Sequence, residues 1–263
     1  MLKYEVRFHI AGLNFQVKSN KAEPINWLKE RYAMYLVNSE PDTKVKLYYY
    51  TDNPCLSRDR VFTKPYNIYG KIGKKCEFKI YTKKGYLGIG SLLRLLSSVL
   101  FIRKGGFLLH SCGIIIDGSV HLLAGPSGAG KTTVARLVNN EYVLLSDETV
   151  AVIKKDRRYY AWATPFFGDF NKITSNTGAI LKNILLLKQS DHFAHKRLSA
   201  YSAMTRILQN IFLSKTDLTD KYGMNKIMDN AFELAQKVPC YELEFLPDNR
   251  IWKYIEKKIS LGV

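Results

Sequence analysis

The chain has 263 residues, 46% of them apolar and 24% charged, which is enough to bury a full core in one large domain or two unequal ones. The 40 Lys and Arg against 23 Asp and Glu leave a formal net charge of +17, a field that favours acidic partners. The lysines are scattered, no block of five or more like charges occurs, and zinc-finger spacing, RNP-like aromatics and a basic zipper are all missing, so nucleic acid is disfavoured as a partner.

Residues 1–88 read as a small β-rich module. In KYEVRFHI the apolar set Tyr4, Val6, Phe8 and Ile10 alternates with Lys3, Glu5, Arg7 and His9; Ala11-Gly12 interrupts, and LNFQV resumes the alternation, which predicts a hairpin. Further period-two runs lie at KVKLYYY (44–50) and CEFKIYT (76–82), punctuated by Gly70, Gly73, Gly85 and Gly88. The charges in MLKYEVRFHI break the apolar core that a signal peptide needs. SLLRLLSSVLFIRKGG then predicts an amphipathic helix over 89–104, ended by its basic last turn and glycines and joining the two parts. Its most apolar run, Ser91 to Ile102, carries Arg94 and is too short to cross a bilayer, so a soluble protein without a membrane partner is expected.

Residues 105–263 read as an α/β domain with a mixed sheet. GFLLHSCGIIIDGSVHLLAG sets Asp117-Gly118, a preferred type I′ turn, between two apolar runs, which predicts a hairpin whose second strand feeds the glycines at 125–130. A helix over about 131–140 follows, then a strand ending in LLSDE and a second hairpin, TVAVIKKDRRYYAWA. A strand near ILLLK, helices around 199–213 and 225–238, a strand YELEF and a closing helix from Asn249 complete the chain.

The chemistry concentrates in two stretches. Gly125-Pro126-Ser127-Gly128-Ala129-Gly130-Lys131-Thr132 matches G-x-x-x-x-G-K-[ST] in full, with an apolar strand before it and a helix-forming run after it. In such a loop the glycines let successive N–H groups wrap a phosphate, Lys131 neutralises the outer phosphates, Thr132 offers a hydroxyl to Mg²⁺ and Thr133 supports a phosphate. Sixteen residues after Lys131 stands Leu144-Leu145-Ser146-Asp147-Glu148. Two adjacent acids at the end of an apolar strand cost solvation unless something uses them, and a magnesium nucleotide is a natural user. One carboxylate would hold the metal, and the other would take a proton from an attacking hydroxyl.

LLHSCGIIIDGSVHLLAGPSGAGKTTVARL followed by LLSDE resembles the catalytic domain of the HPr kinase/phosphorylase family, which shares the fold of phosphoenolpyruvate carboxykinase rather than that of the parallel-sheet phosphate-loop proteins. The likeness covers about residues 105–153. It implies that Asp147, on the first acid of the family's Asp-Asp pair, is the base that activates a serine hydroxyl, that His110 contacts substrate or phosphate, and that ATP with Mg²⁺ is the cofactor. Glu148 replaces the second aspartate and is assigned to Mg²⁺ together with Thr132 and Asp147. The Arg/Gly-rich segment associated with phosphorylase activity is not recognisable, and the N-terminal module differs from that of the family. The chain is most similar to stand-alone HPr kinase-like proteins found with peptide-maturation enzymes, including lasso-peptide kinases, and ATPFFGDF resembles a segment common to them. The likeness implies a peptide or small-protein substrate and homo-oligomeric assembly.

The acceptor remains open between a peptide, acidic if the surface charge selects it, and a small alcohol such as free serine. A nucleotide-gated binding module that transfers nothing is the competing class. Cys55, Cys76, Cys112 and Cys240 show neither C-x-x-C nor His at ligand spacing, so no zinc site or disulfide framework is indicated and a reducing cytoplasm is expected. His192, His195 and Lys196 read either as a mobile basic lip over the substrate or as a solvated loop.

Overall fold

The computed structural model describes residues 1–50, 60–62, 68–71, 75–81, 88–138, 141–166, 176–213 and 221–260. The chain divides into two compact units, Met1–Leu96 and Ser97–Val263. Both are mixed α/β, each with one mixed sheet, and among the described residues no helix is long and apolar enough to cross a membrane.

The first unit contains β1 (Tyr4–Ile10), β2 (Leu13–Ser19), α1 (Glu23–Arg31), β3 (Thr43–Tyr50), β4 (Arg60–Phe62), β5 (Ile68–Lys71) and β6 (Lys75–Tyr81). The expected hairpin is present: β1 pairs antiparallel with β2, and Ala11 and Gly12 both take positive φ, as a two-residue primed turn requires. The sheet runs β1-β2-β3-β6-β5-β4, with β3 parallel to both of its neighbours. Phe8 stacks on Phe15 and meets Tyr32 edge-on, which packs the inward face of the hairpin beneath α1 and the turn after it. Gly70, read from sequence as punctuation, lies inside β5, where it pairs with Phe78; Gly73 and Gly85 fall outside the described residues. The expected joining helix is α2 (Ile89–Arg103), and the boundary between the units falls within it.

The second unit is built on β7 (Phe107–Ile116), β8 (Ser119–Ala124), α3 (Lys131–Arg136), β9 (Val143–Ser146), β10 (Thr149–Lys155), β11 (Arg158–Trp162), β12 (Gly178–Gln189), β13 (Ala194–Arg197), α4 (Ala200–Leu208), α5 (Lys221–Lys237), β14 (Cys240–Phe245) and α6 (Arg250–Tyr254). The order is β11-β10-β7-β8-β12-β14-β13, with β9 also on β7 and β11 closing onto β12. As expected, β8 has an antiparallel partner in β7, turned by Asp117 and Gly118 at positive φ, and a parallel one in β12. Period two along the strands sends side chains into two cores. Leu109, Leu122 and Ala124 pack with Ala203, Ile207 and Leu234 of α4 and α5, while Cys112, Ile114 and Leu123 pack with Val134, Ile251 and Trp252 of α3 and α6.

Several boundaries differ from the sequence reading. The helix expected over 131–140 stops at Arg136, because Leu137 and Val138 close it with tight bonds to the carbonyls of Val134 and Ala135. The helix expected over 199–213 stops at Leu208, and residues 210–212 instead pair with β7. The basic stretch around His195 is not a mobile lip: it is the edge strand β13, antiparallel to β14, with His195 Nδ1 2.9 Å from the Tyr254 hydroxyl. Of ATPFFGDF, Phe167–Phe170 lie outside the described residues, while Phe166 is buried and Thr164 donates a hydrogen bond to the Thr149 carbonyl.

Candidate functional site

Four strands of the second unit, β9, β8, β12 and β14, run in the same direction, and their carboxyl ends bring Asp147, the Gly125–Gly130 loop, Gln189 and Phe245 to one end of the sheet. Ligands of open α/β sheets bind outside the carboxyl ends of strands, where neighbours part. Here the parting occurs on both edges of β7 at once. On one edge β7 pairs with β10 as far as His110 and with β9 from Gly113, and the Ser111 amide donates to the Glu148 carbonyl in the gap. On the other edge it pairs with residues 210–212 as far as His110 and with β8 from Ser111. The loop after β8 and the acids after β9 therefore leave β7 from opposite sides, two ladder spacings or about 10 Å apart.

The loop is wound by Gly128 (φ 81°) and Gly130 (φ 104°), conformations that L side chains rarely adopt. Ala129 N–H donates to the Pro126 carbonyl, the Gln189 side chain donates to the Gly128 carbonyl at 2.9 Å, and Gly130 O accepts the first helical bond from Val134. A cavity of about 230 Å³ is lined by His110, Ser127, Gly128, Gly130, Lys131, Thr132, Thr133 and Gln189. Seven of the sequence-derived site residues are thus brought together. Gly125, Pro126 and Ala129 belong to the loop without lining the cavity, and Asp147 and Glu148 do not line it either: they follow β9, which pairs with the opposite edge of β7.

Lys131 is almost fully buried, and its Nζ donates to the carbonyls of Gly125 (2.7 Å) and Pro126 (3.1 Å). Burial pulls its pKa below the ordinary lysine value, against the opposing pull of Cys112 and Glu148. The ammonium is therefore held by neutral carbonyl dipoles in a partly desolvated place, a setting in which an incoming anion gains more than it would in water.

Asp147 is 5% exposed and Glu148 half-buried. Their turn is set by Ser146, whose Oγ accepts from the Glu148 and Thr149 amides at 3.1 and 3.0 Å. Beneath lies Cys112 on β7. Its thiol is pushed well above the ordinary range, first by burial and then by Asp147, with Lys131 acting in the opposite sense. One buried side chain thus feels both halves of the site. His110 is exposed at the cavity, opposite Thr149 on β10.

Among the described residues no group of three or more His, Cys, Asp or Glu is gathered to hold a metal unaided. Mg²⁺ in proteins takes one or two carboxylates plus substrate oxygens; here three hydroxyl side chains, Ser127, Thr132 and Thr133, line the cavity, and the Asp147–Glu148 pair lies outside its lining, past the other edge of β7.

Sequence reasoning missed two members of this region. Gln189 carries a readable signal, since it ends an apolar strand on the side where such sheets bind ligands. Asn210, whose Oδ1 accepts from the Gly125 amide at 3.2 Å, carries none. His192 and Lys196 do not line the cavity; His192 is tied to Asp191 and Glu244. A family model described as SynChlorMet cassette protein ScmC matches residues 76–260, more than two thirds of the chain. A search of curated proteins finds no match.

Proposed function

The chain belongs to the SynChlorMet cassette protein ScmC family, and from that premise we propose that it is an ATP-dependent kinase that transfers the γ-phosphate to a serine or threonine hydroxyl of a peptide or small protein. The observation that carries this reading is the parting of the Lys131 loop and the Asp147–Glu148 turn from the two edges of β7 at the same level. A binding module that only holds Mg²⁺–nucleotide needs the loop and a metal-binding carboxylate, but it has no use for a second carboxylate placed to take a proton. The resemblance to HPr kinase catalytic domains supports the same assignment, and it is also the source of ATP rather than GTP.

In this reading Gly125–Thr133 is a phosphate loop. Lys131 leaves the carbonyls of Gly125 and Pro126 for the outer phosphates, and His110 and Gln189 border the place where the terminal phosphate meets the acceptor. Thr132, Asp147 and Glu148 would hold Mg²⁺, which neutralises phosphate charge. Asp147 accepts the hydroxyl proton of the acceptor as its oxygen bonds to the γ-phosphorus and the bond to the β–γ bridging oxygen breaks, leaving ADP and the phosphate ester. Phosphoryl transfer asks the protein mainly for positioning and charge neutralisation, and both are within reach of these residues. The surplus of positive charge favours an acidic peptide as acceptor, and the reaction belongs in the cytoplasm where ATP is supplied.

The test is to incubate the protein with Mg²⁺, γ-labelled ATP and the peptides encoded in its own cassette, then to locate the label by mass spectrometry. Label on a serine or threonine supports the reading. ATP binding without label on any peptide, protein or free serine replaces it with the nucleotide-gated binding module.

A further inference from the structure

The loop leaves the sheet at a place where two backbone strands must separate, and separation exposes ladder groups that require new partners. The β7–β8 ladder pairs Ser111 with Ala124, so the next pair in register is His110 with Gly125. That pair does not form. Asn210 stands between the two strands instead: its Oδ1 accepts from the Gly125 amide at 3.2 Å, and its own backbone carbonyl accepts from the His110 amide at 2.7 Å. Ile211 and Phe212 continue along β7 opposite Leu109 and Leu108, so the wedge is the first residue of a short bridging segment that takes over the edge β8 has left.

Asparagine suits this position because its side chain is itself an amide, one acceptor and one donor group at the end of a short arm. The donor half is also used, since Nδ2 bonds the Arg206 carbonyl of α4 at 2.8 Å. Asn210 is 7% exposed and Gly125 is buried, so the Gly125 amide is left without a partner if Oδ1 is removed. Gln189 grips the same loop at its other end, through the Gly128 carbonyl. The continuous segment from Gln189 through β13 and α4 to Asn210 therefore holds the loop at two points with two side-chain amides.

We propose that Asn210 is the positioning residue that parts the glycine-rich loop from β7 and sets the relative placement of that loop and His110, with Gln189 fixing the loop's far end. The consequence for nucleotide rests on the phosphate-binding reading above; the wedge itself does not.

Asn210→Leu keeps the branched shape of the side chain, though with greater bulk, and deletes both of its side-chain hydrogen bonds, and Asn210→Asp keeps an oxygen for the Gly125 amide while placing a negative charge beside the loop. Each full-length variant is measured by amide-resolved hydrogen exchange, by thermal melting and by calorimetric titration with Mg²⁺–ATP and with inorganic triphosphate. In Asn210→Leu the Gly125 amide is expected to exchange at least tenfold faster while Leu122 and Leu123 of β8 stay protected, and Mg²⁺–ATP to bind about tenfold more weakly, as loss of one positioning hydrogen bond allows. In Asn210→Asp the Gly125 amide stays protected and triphosphate binding falls. Unchanged Gly125 exchange in Asn210→Leu overturns the proposal, as does loss of that protection in Asn210→Asp. If Asn210→Leu does not fold, the Asp variant decides by the same amide. A wild-type protein that binds neither Mg²⁺–ATP nor triphosphate overturns the phosphate-binding reading alone, because the exchange of Gly125 still reports the wedge.

Discussion

Replacing Gly130 by alanine tests how the site end of the sheet is built. At φ 104° an alanine pays the left-handed penalty of about 1–2 kcal/mol. Its Cβ would also stand 2.8 Å from Cζ of Phe245, a ring with no exposed surface, packed in the core with Leu185, Ile251 and Trp252. Overpacking of such a core costs about 1–3 kcal/mol. The total, about 2–5 kcal/mol, lowers Tm by roughly 5–15 °C for a unit of this size. Gly128→Ala is the internal control: its φ of 81° carries the backbone penalty, but nothing lies within 4 Å of the added Cβ. Denaturant unfolding followed by far-ultraviolet circular dichroism should therefore rank Gly130→Ala as the costlier change. Adding Phe245→Leu should recover at least about 1 kcal/mol of it through a non-additive coupling. Equal costs for the two glycine variants, or strict additivity with Phe245→Leu, refute the reasoning.

Three further outcomes follow from the same geometry. Lys131→Ala removes a cation that burial already disfavours, so the fold should keep its Tm within a few degrees while Mg²⁺–ATP affinity, read by calorimetry, falls by about 100-fold or more. Ser146→Ala deletes the acceptor shared by the Glu148 and Thr149 amides; it should cost about 1–3 kcal/mol in denaturant unfolding and slow label transfer more than it weakens nucleotide binding. His121 is buried, 2.9 Å from Asn183 Oδ1, and burial lowers its pKa from the ordinary 6.5 to about 4. The unfolded chain takes up that proton first, so this contribution is complete above about pH 6.5 and is lost, to about 3 kcal/mol, as pH falls toward 4. His121→Gln should flatten that part of the pH dependence of the urea midpoint.

The features legible in the sequence were those set by neighbours along the chain. Ala11-Gly12 and Asp117-Gly118 marked their turns, and Asp156-Arg157, both at positive φ, turned the hairpin β10–β11 without a glycine. The cavity residues from Ser127 to Thr133 were legible because one contiguous loop supplies them. What stayed hidden depends on register between distant segments. Asn210 looks like any polar residue after a helix until β7 and β8 part beside it. The twelve-residue β12 is legible in the sequence only near its ILLLK end, because Lys182 and Asn183 interrupt the apolar pattern; Asn183 is nonetheless buried, 2.9 Å from His121 on the next strand. β13 reads as loop because its four residues, Ala-His-Lys-Arg, have the charged character of a protected sheet edge rather than of a core strand.

The proposed transfer reaction stands or falls on Asp147. The measurement is the rate at which label moves from γ-labelled ATP to the cassette peptides, for the wild type and Asp147→Asn, with Mg²⁺–ATP affinity determined on the same preparations. Loss of a general base should slow transfer by about 10²–10⁴-fold while the variant still binds Mg²⁺–ATP. Transfer by Asp147→Asn at the wild-type rate, or a wild-type protein that binds Mg²⁺–ATP and labels nothing, would contradict it.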